Sequence, residues 1–267
     1  METPRITIER IREYLRQGKR FDGRKLDEFR DLKIELGVSN KAEGSAKVKL
    51  GDTEVLVGVK LDLAEPYPDS PDKGNLMVTA ELLPMSSSRF ESGPPSIESI
   101  ELARILDRMV RESKFIELEK LCIKEGEKVW NIFIDIYSMN ADGNLLDAAG
   151  IGVIAALKTA RIPKYDKKEE KVVYGEWTDD KIPVKKDTPL SITFHKIGDH
   201  IVVDPTQEEE DASETRVTIG SCNGVISSMQ KGDHFALSVE EMENIIDLSE
   251  KAWKTLHAKL EKTLKEK

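Results

Sequence analysis

The stretch that decides the fold is VWNIFIDIYSMNADGNLLDAAGIGVIAALKTA (129–160). Its first part, 129–139, has little polar content, which predicts a central strand. A polar loop over 140–147 follows, and the small residues of 148–160 predict a helix that can pack closely on a sheet. A strand, a loop and an apolar helix in this order indicate an α+β domain whose helix covers its own sheet.

The N-terminal side of this stretch shows period-two patterns, which predict a hairpin-rich sheet with one wet face. The predicted strands are 32–36, 46–50, 53–63 and 75–84. A turn-rich loop over 85–96 leads to the clearest helix of the first half, from Ser96 to about Lys114. Thr3 and Pro4 are typical of a helix start and predict a short amphipathic helix over about 4–17.

The C-terminal side repeats the same layout after a charged stretch that contains prolines. The predicted strands there are 191–198, 200–205, 215–221 and 224–231. Ser238 and Glu241 have capping-box spacing and open a long helix to about Leu264. The predicted units are an N-terminal helix and arm (1–25), a first half (26–165), a charged linker (166–189) and a second half (190–267).

Composition excludes several classes of protein. The 267 residues are 39% hydrophobic and carry a net charge of −9. No run approaches the ~18 apolar residues of a membrane span. Only two cysteines occur, a hundred residues apart, so zinc and disulfide frameworks are not expected and the predicted compartment is the cytoplasm. The negative charge is the wrong sign for a generic nucleic-acid binder, so any polyanion contact must be local.

The charge is also distributed unevenly along the chain. Residues 1–24 carry seven Arg/Lys and four Asp/Glu, whereas residues 204–214 carry six Asp/Glu and no base. Heavy use of Glu and Lys hints at a thermophilic source.

Three arginines lie on one face of the helix predicted to begin at Ser96. At about 100° per residue, Arg104, Arg108 and Arg111 fall within about 60° of one another, opposite the apolar residues. Such a face suits phosphates, because each guanidinium offers a rigid fork of donors. The alternative, which the spacing alone favours, is a set of helix-surface ion pairs. Their acidic members would be Glu101, Asp107 and Glu112.

The acidic run VDPTQEEEDASE (203–214) offers candidate metal ligands. Asp204 ends a predicted strand, and Glu210 lies six residues further on. Carboxylates that converge at a strand end can hold Mg²⁺, which prefers oxygen ligands. The alternative, which charge runs favour in general, is a solvated acidic loop.

The loop 140–147 has the strand–turn–helix layout that can hold a phosphate on backbone amides. It contains no Lys, Arg, Ser or Thr, and it brings Leu145, Leu146 and the carboxylate of Asp147 to the helix start. A phosphate there would meet apolar side chains and a like charge. The loop therefore predicts a helix start capped by Asn144 or Asp142 and no anion site.

Five motifs in a fixed order carry a resemblance to a known family. They are FDGRKLDEFR (21–30), SAKVKLGDTEVLVGVK (45–60), SSRFESGPPSIESIELARILDR (87–108), ADGNLLDAAGIGVIAALK (141–158) and VDPTQEEE (203–210). Together they resemble the RNase PH-like proteins and, more narrowly, the non-catalytic RNase PH-like subunit of the archaeal exosome. The resemblance implies an α+β, RNase PH-like fold: two similar α/β halves, each with a mixed sheet and helices, packed into one compact body.

The resemblance also implies a function. Catalytic members degrade RNA from its 3′ end with inorganic phosphate, using a Gly-Gly-Thr-Arg or Gly-Ser-Arg-like loop and two metal-binding aspartates. Here Asn144, Leu145 and Leu146 stand at the loop positions, Asp204 matches the first aspartate, and Glu210 stands at the second. These departures imply a non-catalytic subunit with no catalytic residue, metal or cofactor of its own, in which Asp204→Ala should alter ring activity little.

The implied partners are a catalytic RNase PH-like subunit, alternating with this chain in a hexameric ring of three heterodimers, cap subunits of the OB and KH types, and single-stranded RNA. No membrane partner is expected. Arg104 and Arg108 are the predicted RNA-backbone contacts, and Arg111 and Arg89 are lesser candidates. Two alternatives stay open: a phosphate-dependent 3′-to-5′ exoribonuclease using Asp204 and Glu210, and a small-molecule α+β enzyme, for which no complete motif is present.

Overall fold

The structure, a computed structural model, describes residues 3–166 and 168–266. The helices are α1 (Arg5–Arg16), α2 (Ile97–Glu112), α3 (Leu145–Thr159), α4 (Gln207–Ala212) and α5 (Val239–Lys265). The strands of the first half are β1 (Leu32–Leu36), β2 (Gly44–Leu50), β3 (Thr53–Ala64), β4 (Asn75–Leu82), β5 (Cys122–Lys124) and β6 (Lys128–Asn140). The strands that follow are β7 (Arg161–Asp166), β8 (Lys171–Lys181), β9 (Leu190–Ile197), β10 (His200–Val203), β11 (Thr215–Cys222) and β12 (Val225–Gly232).

The first sheet is mixed and has the strand order β1-β2-β3-β6-β4, with β5 beside the start of β6. Its pairs are antiparallel except β4 with β6, which is parallel because α2 and the loop before it carry the chain back across the sheet. The period-two pattern of β3 places Val55, Val57, Val59 and Leu61 on the buried face, each with no exposed area. The predicted sheet of the first half is therefore confirmed.

The second sheet has the order β10-β9-β11-β12 and is antiparallel throughout. It differs from the mixed sheet expected in both halves. The reason lies in its connections: the β9–β10 and β11–β12 links are two-residue turns, at 198–199 and 223–224, which can join only antiparallel neighbours.

A third, two-stranded ribbon joins the end of the predicted first half, which contains nearly all of β7, to the segment expected to be a charged linker, which contains β8. Strand β8 pairs with β7 in an antiparallel hairpin. The apolar residues of β8, Val172, Val173, Tyr174 and Trp177, do not alternate with polar residues, so the segment lacks the period-two pattern that would predict a strand. The segment over 166–189 therefore contains regular structure and is more than a connector.

Helix α3 lies between the two sheets, against β2 and β3 on one side and β9 on the other. Eleven of its residues are buried, which explains why its sequence is apolar all round. Its two glycines allow the close approach: a Cβ at Gly150 would lie 2.5 Å from the Ser191 hydroxyl, and one at Gly152 would lie 2.7 Å from a Val57 methyl. The small-residue segment thus joins the two halves through one core.

The remaining helices cover the outer faces. Helix α2 packs on β4 and reaches the second sheet, and α5 packs on β9 and β11. Helix α1 contacts α4 and buries Ile11 and Leu15 beside Ile197 and Val202 of the second half. Within the described residues, no helix is long and apolar enough to cross a membrane. The layout confirms the predicted α+β class.

Candidate nucleic-acid interface

The exposed face of α2 carries the arginines that the helical wheel brought together. Arg104 has no hydrogen-bond or ion-pair partner among residues 3–166 and 168–266. Arg108 Nη1 donates to Gln230 Oε1 at 3.2 Å, and within the same residues no carboxylate lies at ion-pair distance from it. Both arginines line one open cavity of about 460 Å³ between α2 and β4. They are placed to receive an anion from solvent.

The acidic neighbours on α2 are engaged elsewhere. Glu101 pairs with Arg216 of β11 at 2.5 Å, and Asp107 holds Arg111 through bonds of 2.7 and 2.9 Å. The alternative of local ion pairs therefore describes Arg111 and fails for Arg104 and Arg108.

Arg111 and Arg89, the two lesser candidates, are already bound to other groups of the chain. Arg111 also donates to the carbonyl oxygen of Leu76 at 3.2 Å. Arg89 binds Asp211 through two bonds of 2.5 and 2.7 Å, at the other end of the α2 region. Because a bidentate carboxylate already occupies each guanidinium fork, a phosphate would have to displace it.

Asp204 is buried just after β10, where two arginines neutralise its charge and Asn144 donates a further hydrogen bond. Its Oδ2 accepts from Arg24 Nη1 at 2.9 Å and from the Arg30 backbone N–H and Nε at 2.7 and 3.0 Å. Its Oδ1 accepts from Arg30 Nη2 at 2.8 Å and from Asn144 Nδ2 at 2.9 Å. Burial alone would raise the pKa of this carboxyl, but the Arg30 bonds and charge outweigh it and the pKa lies below its usual value.

Arg20 and Glu209 form a second buried ion pair beside Asp204. Arg20 donates to both oxygens of Glu209 and also to the carbonyl oxygens of Val203 at 3.0 Å and Asp204 at 2.8 Å. Glu209 closes the capping box of α4 with Thr206. The basic N-terminal segment thus binds the acidic segment 204–214, and the solvated-loop interpretation of that segment is wrong for Asp204 and Glu209.

The sequence analysis did not identify Arg20, Arg24 and Arg30 as the partners of these carboxylates. The available signal was the charge asymmetry between residues 1–24 and 204–214. It could indicate attraction between the two segments, but it could not say which arginine meets which carboxylate.

The acidic strand end has no free carboxylate set for a metal ion. Both oxygens of Asp204 and both of Glu209 already accept from arginines. Across residues 3–166 and 168–266, no group of three or more His, Cys, Asp or Glu side chains is placed to hold a metal. The magnesium interpretation of this segment therefore does not fit the donor set.

The loop 140–147 is packed against the turn before α4. Gly143 has φ +79°, and a Cβ there would lie 2.5 Å from the carbonyl oxygen of Pro205. Arg30 donates to the carbonyl oxygens of Asp142 at 2.7 Å and Gly143 at 3.1 Å. The backbone of this loop is thus fixed against the turn before α4 and against the Arg30 guanidinium.

Asn144 is the residue before α3, but neither it nor Asp142 caps the helix as expected. Asn144 has φ +55° and makes no side-chain cap bond. Its backbone N–H donates to Glu210 Oε1 at 2.7 Å, and its Nδ2 donates to Asp147 Oδ2 at 3.1 Å. The side chain donates to buried carboxylates and does not cap the helix, because leaving a buried carboxylate without a donor costs more free energy than leaving the first turn of the helix uncapped.

Asp147 is fully buried at the start of α3, and its Oδ1 has no hydrogen-bond partner in the described part of the chain. Burial raises the pKa of this carboxyl to about 7, and the hydrogen bond from Asn144 opposes this rise without cancelling it. The folded chain therefore holds a proton that the unfolded chain, with a pKa of about 3.9, releases. The contribution of Asp147 to the free energy of unfolding is therefore fully present below about pH 3.9. It falls as the pH rises from there through the folded pKa of about 7.

We expect Asp147→Asn to stabilise the protein relative to the wild type at pH 8 and to be nearly neutral at pH 4. Between these limits the difference in unfolding free energy should grow by about 1.4 kcal/mol per pH unit while only the unfolded state is ionised. Urea unfolding at several pH values measures it. Asp52→Asn, at a side chain that is 80% exposed, is the matched control. A difference independent of pH would contradict the raised pKa.

Two models of one family match the chain. The model described as 3′ exoribonuclease family, domain 1, matches residues 28–163, and domain 2 of the same family matches residues 187–252. The exosome complex component Rrp42 of Methanocella arvoryzae is 47% identical over 246 residues, which cover 92% of this chain and 92% of that protein. The protein of the same name from Thermococcus onnurineus is 47% identical over 248 residues, covering 91% and 90%.

Solved structures give the same match. A chain from the Archaeoglobus fulgidus exosome with RNA bound to the active site is 43% identical, with a TM-score of 0.88 over 95% of this chain and 97% of that one. A chain from an archaeal exosome core is 40% identical, with a TM-score of 0.85 over 96% of each. The RNase PH-like fold predicted from the five motifs is confirmed.

Proposed function

The chain belongs to the RNase PH family of 3′ exoribonucleases, as an archaeal exosome RNase PH-like subunit, and we propose that it is the non-catalytic member of its ring. In this proposal the chain forms part of a phosphorolytic RNA-degrading complex. It shapes the active site of a catalytic RNase PH-like partner and supplies contacts to the RNA backbone, but it performs no chemistry itself.

The observation that carries this proposal is the state of Asp204. The carboxylate at the strand end has no exposed area and is held by Arg24 and Arg30. Leu145 and Leu146 stand at the start of α3, where the family's catalytic members have the hydroxyl and arginine of their phosphate loop. Phosphoryl transfer depends almost entirely on positioning and charge neutralisation, and neither is available here. The alternative of an active exoribonuclease using Asp204 and Glu210 is therefore not favoured.

The partners follow from the same reasoning. A hexameric ring of three heterodimers would place α2 of this chain beside the RNA that enters its partner's site. Arg104 and Arg108 would then contact phosphates, and Arg111 and Arg89 would do so only after leaving their carboxylates. Cap subunits of the OB and KH types, a cytoplasmic location and unit boundaries near residues 25, 165 and 189 complete the proposal.

The first test is a phosphorolysis assay. The isolated chain, given single-stranded RNA, phosphate and Mg²⁺, should release no nucleoside diphosphate, because it lacks a phosphate loop. Addition of a catalytic RNase PH-like subunit should produce release.

The matched control is a ring whose catalytic subunit has lost its own strand-end aspartate. That ring keeps every residue of this chain, so any activity left in it must come from this chain. We expect none, and nucleoside diphosphate release by the control ring or by the isolated chain would refute the non-catalytic assignment.

A further inference from the structure

A second cavity, of about 430 Å³, lies between α2, the start of α3, α4 and the second sheet. Two arginines stand on its wall, and both are held by carboxylates. Arg89 binds Asp211 through bonds of 2.5 and 2.7 Å, and Arg216 binds Glu101 at 2.5 Å. The positive charge of this cavity is therefore already neutralised.

Three further carboxylates line the same cavity: Glu98, Glu210 and Asp233. None of them has an ion-pair partner within residues 3–166 and 168–266. Glu210 is the deepest of the three: its Oε1 accepts from the Asn144 backbone N–H at 2.7 Å, and no described group donates to its Oε2. Burial raises the pKa of Glu210 to about 7, so above that pH the cavity has a surplus of negative charge and an unused acceptor at Glu210 Oε2.

His195 supplies an independent sign of a missing ligand. The residue lines the cavity and is 4% exposed, and its buried Nδ1 has no hydrogen-bond partner among the described residues. Burial and the charges of Arg216 and Arg20 lower its pKa to about 3, so the imidazole is neutral. A neutral imidazole has one nitrogen that accepts a hydrogen bond, and buried polar groups are normally paired.

Part of the cavity lining is apolar. Phe90, Leu102 and Leu146 line it. A ligand that matches both the acidic and the apolar side chains of this lining has a cationic donor group and a short hydrocarbon body.

We propose that this cavity binds a small organic cation, a primary ammonium on a short aliphatic chain, between the carboxylates of Glu210, Glu98 and Asp233 and the imidazole of His195. The ammonium donates to carboxylate oxygens and to the imidazole, and its methylenes lie along the leucine and phenylalanine wall. Inorganic phosphate is rejected, because each arginine that could bind it is occupied and the surrounding charge is negative. The proposal stands independently of the role of the chain in a ring.

The test is calorimetric titration of the whole purified chain with 1,4-diaminobutane at pH 8 and low salt. A parallel titration uses inorganic phosphate. We expect saturable binding of the amine at one site and no binding of phosphate. Failure of the amine to bind, or binding of phosphate instead, overturns the proposal.

Three variants locate the site. Glu210→Gln should weaken amine binding at least tenfold, and Asp233→Asn, at an exposed residue whose replacement leaves the fold intact, should weaken it several-fold. Glu208→Gln, an exposed position on the same helix and outside the cavity, should leave the affinity unchanged. Equal affinity in all four proteins would mean that the amine binds the acidic surface in general, which also overturns the proposal.

Discussion

Asp204→Asn is expected to lower the free energy of unfolding by about 3–5 kcal/mol, the cost of breaking a buried ion pair by removing one partner. The variant keeps the size of the side chain but removes its charge. Arg24 and Arg30, whose side chains are 11% and 9% exposed, would then hold two largely buried positive charges without this carboxylate. An amide nitrogen would also face donors where an oxygen accepted before.

Urea unfolding at pH 7 measures this effect. Asp31→Asn is the matched control, because Asp31 is adjacent to Arg30 but its side chain is 77% exposed. Its effect should stay within about 0.5 kcal/mol. A loss at Asp204 no larger than that of the control would show that the two arginines do not depend on it.

The pH dependence of the same variant gives a second check. The folded pKa of Asp204 is depressed, so its contribution to stability is present above the unfolded value of about 3.9 and is lost as pH falls through the lower folded value. The difference between wild type and Asp204→Asn should therefore be constant from pH 7 to about pH 5 and shrink only below about pH 4.

This result would change how the ring activity of Asp204 variants is interpreted. The sequence led us to expect that Asp204→Ala would have little effect on ring activity, since the acidic cluster has no phosphate to serve. The structure makes Asp204 the point where the N-terminal arm, the 140–147 loop and β10 meet. Loss of ring activity in such a variant would therefore have to be separated from loss of folded protein.

The sequence predicted the elements that have a strong period. Helices α2 and α3 and strand β3 follow directly from the spacing of their apolar residues, because burial of one face is a local pattern. Helix α4 was not predicted, since its acidic run resembles a solvated loop and only the Thr206–Glu209 capping box marks its start.

The site was less predictable, because its decisive contacts join distant parts of the chain. Arg24 and Asp204 are 180 residues apart, and Glu101 reaches Arg216 across 115 residues. A helical wheel places Arg104, Glu101 and Asp107 near one another. It contains no information about Arg216 of β11, which pairs with Glu101 in the folded chain. Local spacing therefore favoured ion pairs that the fold does not make.

The second large effect concerns Arg104 and Arg108. On the assembled ring, replacing both by alanine should weaken the binding of single-stranded RNA and lower the slope of log affinity against log salt by about 1.4, at about 0.7 for each lost phosphate contact. The reason is that both guanidinium groups are exposed on α2 and free of carboxylate partners in the described residues, so each can release a counterion from RNA. The loss should be nearly the same for RNAs of different base sequence, because phosphates carry no sequence information.

The measurement is a titration of a short RNA with the variant ring at several salt concentrations, after its assembly has been verified. Arg111→Ala is the internal comparison: Asp107 already neutralises Arg111 through two hydrogen bonds, so its removal should change the slope by much less than the loss of Arg104 and Arg108. A pure helix-surface role predicts the reverse ranking. Under that role Arg111→Ala would lower stability by the ~0.3–0.5 kcal/mol of its exposed pair, and the double variant would bind RNA as the wild type does. An unchanged slope in an intact double-variant ring would remove these two arginines from the RNA interface and leave α2 with only its packing role against β4 and the second sheet.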